Sequence, residues 1–367
     1  MSSDYRVQLN GSIQDLIKDA VSLSDLEAIR LILKGNSVID WNRANFRTMQ
    51  EADRFLQLHL FDVNDSEDLR RLRYLHKSAV NYLEGQIGLR FPEEIKNPVD
   101  IRSIFIAASQ TGGFLRKQIC ACVVLKLMHV IHHLEAAELR YQVPLSEEVL
   151  LDAAARRIEE AAVAMRESGI PVVAFYGSRK ARNSILTKLI AKRENIAATV
   201  FDKLRFRVVT EKTEHVLPAM IWMTKNLFPF NYIIPDQSHN SLLRFAPLLE
   251  QCGIDPSIVQ SNGIQEEDVL NPENNKFSGS SYRMINFIVD FPVQIDHLVE
   301  LRHRSMLGRV VFVMVEIQLV DKATATANEE GDNAHSLYKA RQLQQVKARL
   351  RKGGRRFRKR EQESKNK

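Results

Sequence analysis

A run of thirteen residues late in the chain, RVVFVMVEIQLVD from Arg309 to Asp321, limits the possible folds more than any other segment. Alternate residues make one strand face wholly apolar: Val311, Val313, Val315, Ile317 and Leu319. The opposite face is apolar as far as Met314 and then turns polar at Glu316 and Gln318. The run therefore predicts a central strand of a sheet flanked by helices, with a ligand group near the strand's C-terminal end. The alternative is a strand that simply leaves the core at Glu316.

The stretch 171–210 predicts a strand, a helix and a second strand. Residues 172–176 form a short apolar run before Gly177, which is typical of a buried strand that stops at a tight turn. Residues 182–193 carry apolar side chains at helical spacing, and residues 204–210 alternate apolar and arginine side chains before ending in Thr. A basic helix between two strands is the predicted arrangement.

Polar residues at every fourth position share one face of that helix: Lys180, Ser184 and Lys188. Asp202 lies fourteen residues beyond Lys188, directly before the second strand. Cations and a hydroxyl group suit phosphate oxygens, and a carboxylate is the oxygen ligand that Mg²⁺ prefers. The pattern favours a polyphosphate with its magnesium ion, while the alternative is a solvated helix face.

Five short segments between residues 171 and 321 carry a resemblance to a known family. They are Gly177-Ser178-Arg179-Lys180 with Ser184 and Lys188, Asp202 to Arg207, Asn231-Tyr232-Ile233-Ile234-Pro235, Ser281 to Asn286, and Glu316-Ile317-Gln318. In content and order they resemble motifs of the RelA/SpoT-type nucleotide pyrophosphokinases, which make ppGpp or pppGpp. Tyr282 is similar to the family's acceptor-stacking tyrosine, and Asp202 to its metal-binding aspartate.

The chain departs from that pattern at four places. Ser178 stands where the family has Arg, with Arg179 beside it, Asn231 replaces Asp, and Asn286 replaces His. Residues 236–279 form a far longer segment than the family has between Pro and Tyr. These differences concern the donor base and the acceptor, while both carboxylates are retained.

The resemblance implies a Mg²⁺-dependent transfer of pyrophosphate from ATP to a ribose hydroxyl of a guanine nucleotide or of an RNA end. It assigns the donor phosphates to Lys180, Ser184 and Lys188, with Arg179 assisting. It assigns the metal to Asp202 and Glu316, which we expect to lie close together, and Glu316 could also accept the proton of the attacking hydroxyl. Tyr282 would stack on the acceptor base, and the further substrate-binding residues are Arg207 and Gln318. The alternative is a catalytically silent RNA- or ribosome-binding protein with a relic nucleotide site, which the loss of the family's Arg and His favours.

Residues 1–168 are predicted to be a helical domain. Ser24 with Glu27 suggests a capping box for a first helix that Gly35 ends. Further helices are predicted at Met49 to His59, Glu67 to Gln86, Gly113 to Tyr141 and Ser146 to Glu167. The third of these contains His129, His132 and His133; HxxHH is no established metal-ligand set, and packing is the favoured interpretation. A His-Asp dipeptide is absent from the sequence, so the region does not resemble an alarmone hydrolase.

The fold class is therefore predicted to be α+β. A helical domain at 1–168 precedes a nucleotidyltransferase-like mixed sheet flanked by helices at 169–321. An irregular insertion at 236–279 contains one helix near residues 241–252. Small polar residues at 322–338 predict a linker, and residues 339–367 a disordered basic tail that begins helically.

The basic residues are concentrated at the C-terminal end. Residues 339–367 hold thirteen Lys or Arg against two Glu, a net charge of +11; since the whole chain has +7, the first 338 residues carry −4. Such a tail is expected to bind phosphate backbones, which makes RNA or the ribosome its predicted partner, whereas the alternative is a solubilising end. The three cysteines form no CxxC pair, which favours a reduced cytoplasmic setting. The sequence suggests neither a membrane span nor a signal peptide.

Overall fold

The computed structural model describes residues 21–36, 46–110, 115–191, 200, 202–257, 270, 281–298, 307–330 and 337–351. Within these residues the chain combines helices with a five-stranded sheet, which confirms the predicted α+β class. The strands are β1 (Val172–Arg179), β2 (Leu204–Thr210), β3 (His239–Asn240), β4 (Ile285–Gln294) and β5 (Val310–Asp321).

The sheet has the order β1-β2-β5-β4-β3, and it is mixed. β2 and β5 run parallel, whereas β1 pairs with β2, and β4 with both β5 and β3, in antiparallel fashion. The predicted central strand is confirmed, because β5 lies between β2 and β4. Its five alternating aliphatic residues from Val311 to Leu319 all belong to the core.

β1 differs from its prediction in two ways. It is an edge strand with half-buried and exposed residues instead of a buried one. It also continues through Gly177 to Arg179 and does not end at a turn. A Cβ at position 177 would lie 2.6 Å from Cε1 of the Phe206 ring, so glycine is needed there for close strand packing.

Helices surround the sheet and form most of the N-terminal half. They are α1 (Leu23–Lys34), α2 (Met49–Leu58), α3 (Ser66–Tyr82), α4 (Glu93–Lys96), α5 (Ser103–Ala108), α6 (Leu115–Gln142), α7 (Glu147–Glu167), α8 (Arg182–Ala191), α9 (Val216–Asn226), α10 (Phe245–Gln251), α11 (Lys322–Asn328) and α12 (337–351). The predicted helices are confirmed in position, with a π-helical turn, Leu83–Ile87, extending α3.

The start of α1 corrects one prediction. Ser22 is its N-cap and exchanges capping-box hydrogen bonds with Asp25, so the box predicted at Ser24 and Glu27 is wrong. Gly35 ends the helix in the left-handed conformation with φ 75°, as predicted.

Two hydrophobic clusters form the core of the described residues. One lies among α2, α3, α5 and α6 and includes Leu75 and Ile104. The other joins α1, α7 and α9 to the sheet and includes Ile158, Phe206 and Met220. The second cluster contains residues from both sides of position 168, so the structure places no boundary between cores at the predicted domain border.

The two faces of the sheet have different neighbours. α7 and α9 cover the face that carries Phe206 and Ile317. α6 crosses the opposite face, where His133 stacks on Phe312 of β5 with ring centroids 4.1 Å apart. Glu316 and Gln318 share this second face because they alternate with the core residues of β5.

α6 corrects the expectation that no segment could span a membrane. In the part of the chain that the structure describes, it is a helix long and apolar enough to do so by length and composition. Part of its surface is buried, since Cys120, Val124 and Ala136 pack inside the protein.

Parts of the predicted linker, insertion and tail form helices or strands in the described residues. The predicted linker begins with α11, whose N-cap Asp321 accepts a hydrogen bond from the Thr324 backbone. The predicted insertion contains β3 and α10, while residues 258–269 and 271–280 lie outside the described residues. The tail begins helically, as predicted, with α12, and residues 352–367 lie outside the described residues.

Candidate functional site

Two adjacent parallel strands present charged side chains on the face that α6 crosses. Arg205 of β2 stands in register with Glu316 of β5, and Arg207 with Gln318. Residues paired in this way point to the same side of a sheet. The predicted alternation of β2 therefore places both arginines beside the polar end of β5.

Asp202 lies beneath three cations. Lys188 Nζ donates to Asp202 Oδ1 at 2.8 Å, Lys180 Nζ donates to Oδ2, and Arg205 Nη2 lies 3.3 Å from Oδ2. Asp202 is buried, whereas the three cationic side chains are partly exposed. Burial alone would raise the pKa of Asp202, but the ammonium groups of Lys188 and Lys180 outweigh it and hold that pKa well below its usual range.

Glu316 is the second buried carboxylate of the cluster. Its Oε2 accepts a hydrogen bond from Arg205 Nε at 2.7 Å. Its Oε1 accepts from Asn286 Nδ2 at 3.2 Å and from Gln318 Nε2 at 2.9 Å. One guanidinium group, that of Arg205, thus joins Asp202 to Glu316 and places both carboxylates in one cluster.

Arg207 connects this cluster to the segment that carries Tyr282. Its Nε donates to Gln318 Oε1 at 3.0 Å, and its Nη2 donates to the Tyr282 hydroxyl at 3.2 Å. Its Nη1 lies 3.6 Å from an exposed carboxylate, Glu329. Burial raises the pKa of Tyr282, so the phenol is protonated at neutral pH.

The Tyr282 segment is fixed by a side chain that we did not predict. Asn328, near the end of α11, accepts a hydrogen bond from the Arg283 backbone N–H at 3.1 Å and donates to the Arg283 carbonyl at 2.7 Å. Asn328 is buried. Its carboxamide therefore binds the peptide groups next to Tyr282 in the way that a neighbouring strand would.

Arg179 does not join the other predicted residues. It pairs with Leu204 across β1 and β2, so it points to the core face, where it forms an ion pair with Asp152 of α7. Ser178 pairs with Arg205 and is the residue on the side of Asp202. The prediction that Arg179 assists at the donor phosphates therefore does not match its position, because one step along a strand reverses the face.

Most of the predicted site residues do lie together. The residues that the structure brings into one network are Lys180, Lys188, Asp202, Arg207, Tyr282, Glu316 and Gln318. Ser184 is half-buried on α8, one turn before Lys188. Arg205 and Asn286 were missed as site residues, although the alternation of β2 already placed Arg205 on this face.

Asn231 belongs to a different part of the protein. Its Nδ2 lies 3.1 Å from His59 Nε2 and 3.1 Å from His129 Nδ1, beneath α6. The packing predicted for the HxxHH residues is found, since His132 is buried and His133 stacks on Phe312. Among the residues that the structure describes, no cluster of three or more His, Cys, Asp or Glu side chains could hold a metal ion by itself.

The donor set around Arg205 nevertheless has the chemistry of a magnesium nucleotide site. Mg²⁺ in such sites is usually bound by one or two carboxylates, with the other positions filled by substrate phosphates and water. Asp202 and Glu316 supply two carboxylates, and the cations that now bind them are groups that phosphates also attract. The residues present therefore fit a metal that arrives with a nucleotide.

Comparison with known proteins returns only distant structural similarities. No protein-family model matches the chain, and no curated protein sequence matches it. The small alarmone synthetase 1 from Bacillus subtilis is similar with 17% sequence identity and a TM-score of 0.30, over 59% of this chain and 97% of that chain. Its structure bound to its product pppGpp gives 17% identity and a TM-score of 0.33 with the same coverage.

A third similar structure is a GTP pyrophosphokinase family protein from Streptococcus pneumoniae. It is 14% identical with a TM-score of 0.29, over 60% of this chain and 97% of that chain.

Proposed function

We propose that the protein transfers pyrophosphate from ATP to a ribose hydroxyl of a guanine nucleotide or of an RNA end, with Mg²⁺. The observation that supports this most strongly is the single network from Lys180 and Lys188 through Asp202, Arg205 and Glu316. Phosphoryl-type transfer requires positioned cations and metal ligands more than covalent chemistry. This network supplies both.

The balance of charge favours an anionic ligand. Three cationic side chains, Lys180, Lys188 and Arg205, bind two buried carboxylates, Asp202 and Glu316. The cations are partly exposed while the carboxylates lie below them. A triphosphate could replace Asp202 as the partner of the two lysines, while Arg205 and the Mg²⁺ that arrives with the nucleotide would compensate the buried carboxylate.

The proposal gives the residues of the network the following roles. Lys180, Ser184 and Lys188 bind the donor phosphates, and Asp202 and Glu316 hold Mg²⁺, which would neutralise charge on the phosphate oxygens. Glu316 accepts the proton of the attacking hydroxyl, and Gln318 and Asn286 fix the orientation of its carboxylate through Oε1. Tyr282 stacks on the acceptor base, and Arg207 holds its hydroxyl. Arg179 is left out, because it points to the other face.

Nucleotide binding and turnover test this proposal directly. ATP affinity is measured by calorimetry with and without Mg²⁺, and AMP release is then assayed with GTP, GDP or a short RNA as the acceptor. We expect ATP to bind more tightly with Mg²⁺, and one acceptor class to yield AMP. Metal-independent ATP binding without AMP from any acceptor would contradict the proposal.

The second candidate is a catalytically silent RNA- or ribosome-binding protein, and α12 favours it. This helix carries five basic residues, Lys339, Arg341, Lys347, Arg349 and Arg351, and the Arg349 guanidinium donates to the carbonyl of Ile190 at the end of α8. The basic helix therefore lies beside α8, the helix that carries Lys188. A cytoplasmic setting suits both candidates, and the three buried free cysteines agree with it.

Removal of residues 339–367 separates the two candidates. If the tail binds RNA, truncation should abolish most of the affinity and most of its salt dependence, because counterion release follows the number of phosphate contacts. AMP release with a free guanine nucleotide should survive truncation. RNA binding that needs the tail, combined with no AMP from any acceptor, would favour the silent protein. RNA affinity unchanged by truncation and by salt would remove the nucleic-acid hypothesis.

A further inference from the structure

A cavity of about 70 Å³ lies between the helical part of the protein and the turn that precedes β3. Aromatic rings from α2, α5 and that turn line it, among them Phe55, Phe105 and Phe230. The space is several times the 10–15 Å³ or so that one water molecule requires. The cavity can therefore take a small organic molecule of about one ring, and it lies apart from the Asp202 network.

Hydrogen bonds fix the roles of the polar groups in its wall. His59 Nδ1 lies 2.8 Å from the carbonyl of Phe55, so this nitrogen carries the proton and Nε2 is an acceptor. Asn231 Nδ2 donates to that acceptor and also to His129 Nδ1, each at 3.1 Å. Both N–H groups of Asn231 therefore already have acceptors. Its carbonyl oxygen, Oδ1, is the atom of the carboxamide that is left to accept a hydrogen bond from a ligand.

Buried atoms in this wall are left without a partner. Asn231 Oδ1 and both ring nitrogens of His132 make no hydrogen bond within the described part of the chain. Asn231 is 9% exposed and His132 4% exposed. Because a buried polar atom without a partner costs free energy, these atoms mark where a ligand can gain affinity.

The wall also selects the charge of its ligand. Burial lowers the pKa of His59 to about 4, and it holds the pKa values of His129 and His132 well below their usual range. All three imidazoles are therefore neutral at pH 7. Lys126 is the charged residue of the lining, and it already has an interaction partner. A neutral, mostly aromatic wall favours an uncharged ligand.

We propose that this cavity binds a small uncharged aromatic molecule whose O–H or N–H donates a hydrogen bond to Asn231 Oδ1. The phenyl rings of the wall supply edge and face contacts for the ligand's ring. The two imidazole nitrogens of His132 can accept or donate a further hydrogen bond. Phenols and single-ring azoles belong to this chemical class.

Two matched probes test the proposal on the full chain. 4-Fluorophenol and 4-fluorotoluene have nearly the same size, but only the phenol donates a hydrogen bond. Binding is followed by ¹⁹F NMR line width and chemical shift as the protein is titrated. We expect 4-fluorophenol to bind about tenfold more tightly, the contribution of one buried hydrogen bond. Equal affinities would show that no hydrogen bond to Asn231 Oδ1 forms, and no binding of either probe at millimolar concentration would show that the cavity does not take an aromatic molecule; either result would overturn the proposal.

A variant identifies the acceptor atom. Asn231→Leu keeps the approximate side-chain volume and removes the carbonyl oxygen, so the preference for the phenol should fall to about one. Asn226→Leu is the matched control. Asn226 is an exposed residue at the end of α9, outside the cavity, so this variant should keep the wild-type preference for the phenol. If Asn231→Leu fails to fold, the comparison of the two probes on the wild-type chain still decides the outcome. A preference retained in folded Asn231→Leu would contradict the assignment of Asn231.

Discussion

Two polar clusters occupy the same face of the sheet and differ in the charge of their side chains. At one end of β5, Glu316 and Asp202 are surrounded by Lys180, Lys188 and Arg205. Toward the other end, Phe312 lies under α6 in contact with the rings of His132 and His133. Met314, between these two, is 37% exposed. Met314 therefore lies between a region that can take an anion and one that is occupied by histidine rings.

The pKa shifts in the two clusters have different causes. In the Asp202 cluster the ammonium groups overcome the effect of burial and keep the carboxylate ionised. In the histidine cluster burial dominates and lowers the pKa values of His59 and His132, which keeps these two imidazoles neutral at pH 7. His133, the member nearest the sheet, also bonds to Asp290 Oδ2 at 2.9 Å. We therefore expect substitutions in the Asp202 cluster to change ligand binding, and a fall in pH to destabilise the protein through the histidine cluster.

The largest expected effect is on catalysis by Glu316→Gln. The substitution keeps the side-chain volume but removes the negative charge that would hold Mg²⁺ and accept a proton. We expect AMP release to fall by at least about a hundredfold, the usual loss for a general base. Asp152→Asn is the matched control, since Asp152 pairs with Arg179 on the opposite face of the sheet. Full activity in Glu316→Gln, or an equal loss in both variants, would contradict the role proposed for Glu316 in catalysis.

The next effect is acid destabilisation through the histidine cluster. His59 has a pKa of about 4 in the folded protein and about 6.5 when unfolded, so below pH 6.5 the unfolded chain binds a proton that the folded chain does not. The free energy of unfolding should therefore be constant above about pH 7. It should fall by a few kcal/mol between pH 6.5 and 4.

Urea unfolding at several pH values measures this dependence. His59→Gln should flatten part of the slope, while His297→Gln, an exposed histidine, should not change it. A slope that is the same in the wild type and in His59→Gln would show that His59 titrates normally. That result would contradict the conclusion that burial lowers the pKa of His59.

The sequence was most informative where side-chain alternation decides the structure. The bounds of β2, the central position of β5 and the faces of Arg205 and Glu316 follow from apolar and polar residues two apart. Asp202 precedes β2, and its contact with Arg205 does not follow from that alternation. Arg179 was misplaced because Gly177 suggested a turn, whereas the strand continues and each further residue reverses its face. A wrong strand end therefore changes which residue reaches the site.

Two elements, β4 and α9, lack the alternation of apolar and polar residues from which a strand or helix is predicted. β4, INFIVDFPVQ, is buried on both faces and contains a proline, so it was not predicted. α9 is buried almost all round, which removes the amphipathic period, and Pro218 stands in its first turn. The contact of Asn231 with His129 and His59 joins residues 102 and 172 positions apart, and only the tertiary structure creates it.

A smaller effect is expected on ATP binding in Lys180→Ala. Asp202 would keep Lys188 and Arg205 as partners, so the chain should remain folded. Loss of a charge-assisted hydrogen bond to phosphate costs about 1.5–3 kcal/mol, which weakens ATP binding about tenfold to a hundredfold. Lys203→Ala is the matched control, since Lys203 pairs with Glu147 at 2.7 Å. Unchanged ATP affinity in Lys180→Ala, measured by calorimetry, would remove Lys180 from the phosphate site.

The smallest effect is expected at Asn328, which acts on the site only through the backbone next to Tyr282. Asn328→Ala removes both hydrogen bonds to Arg283, so the segment should loosen while the phosphate residues stay in place. We expect the KM for the acceptor to rise several-fold with the ATP affinity unchanged. Faster amide hydrogen exchange near residues 282–284 should accompany it, a readout that does not depend on turnover.

Two substitutions sharpen this last test. Asn328→Asp keeps the acceptor for the Arg283 N–H but loses the donor to its carbonyl, so its effect should be smaller than that of Asn328→Ala. Asn226→Ala removes an exposed amide that bonds only to the Trp222 carbonyl of its own helix among the described residues, and it should leave the acceptor KM unchanged. Equal changes in ATP affinity and acceptor KM would show that Asn328 supports the whole fold. Unchanged hydrogen exchange would show that other contacts already hold Tyr282 in position.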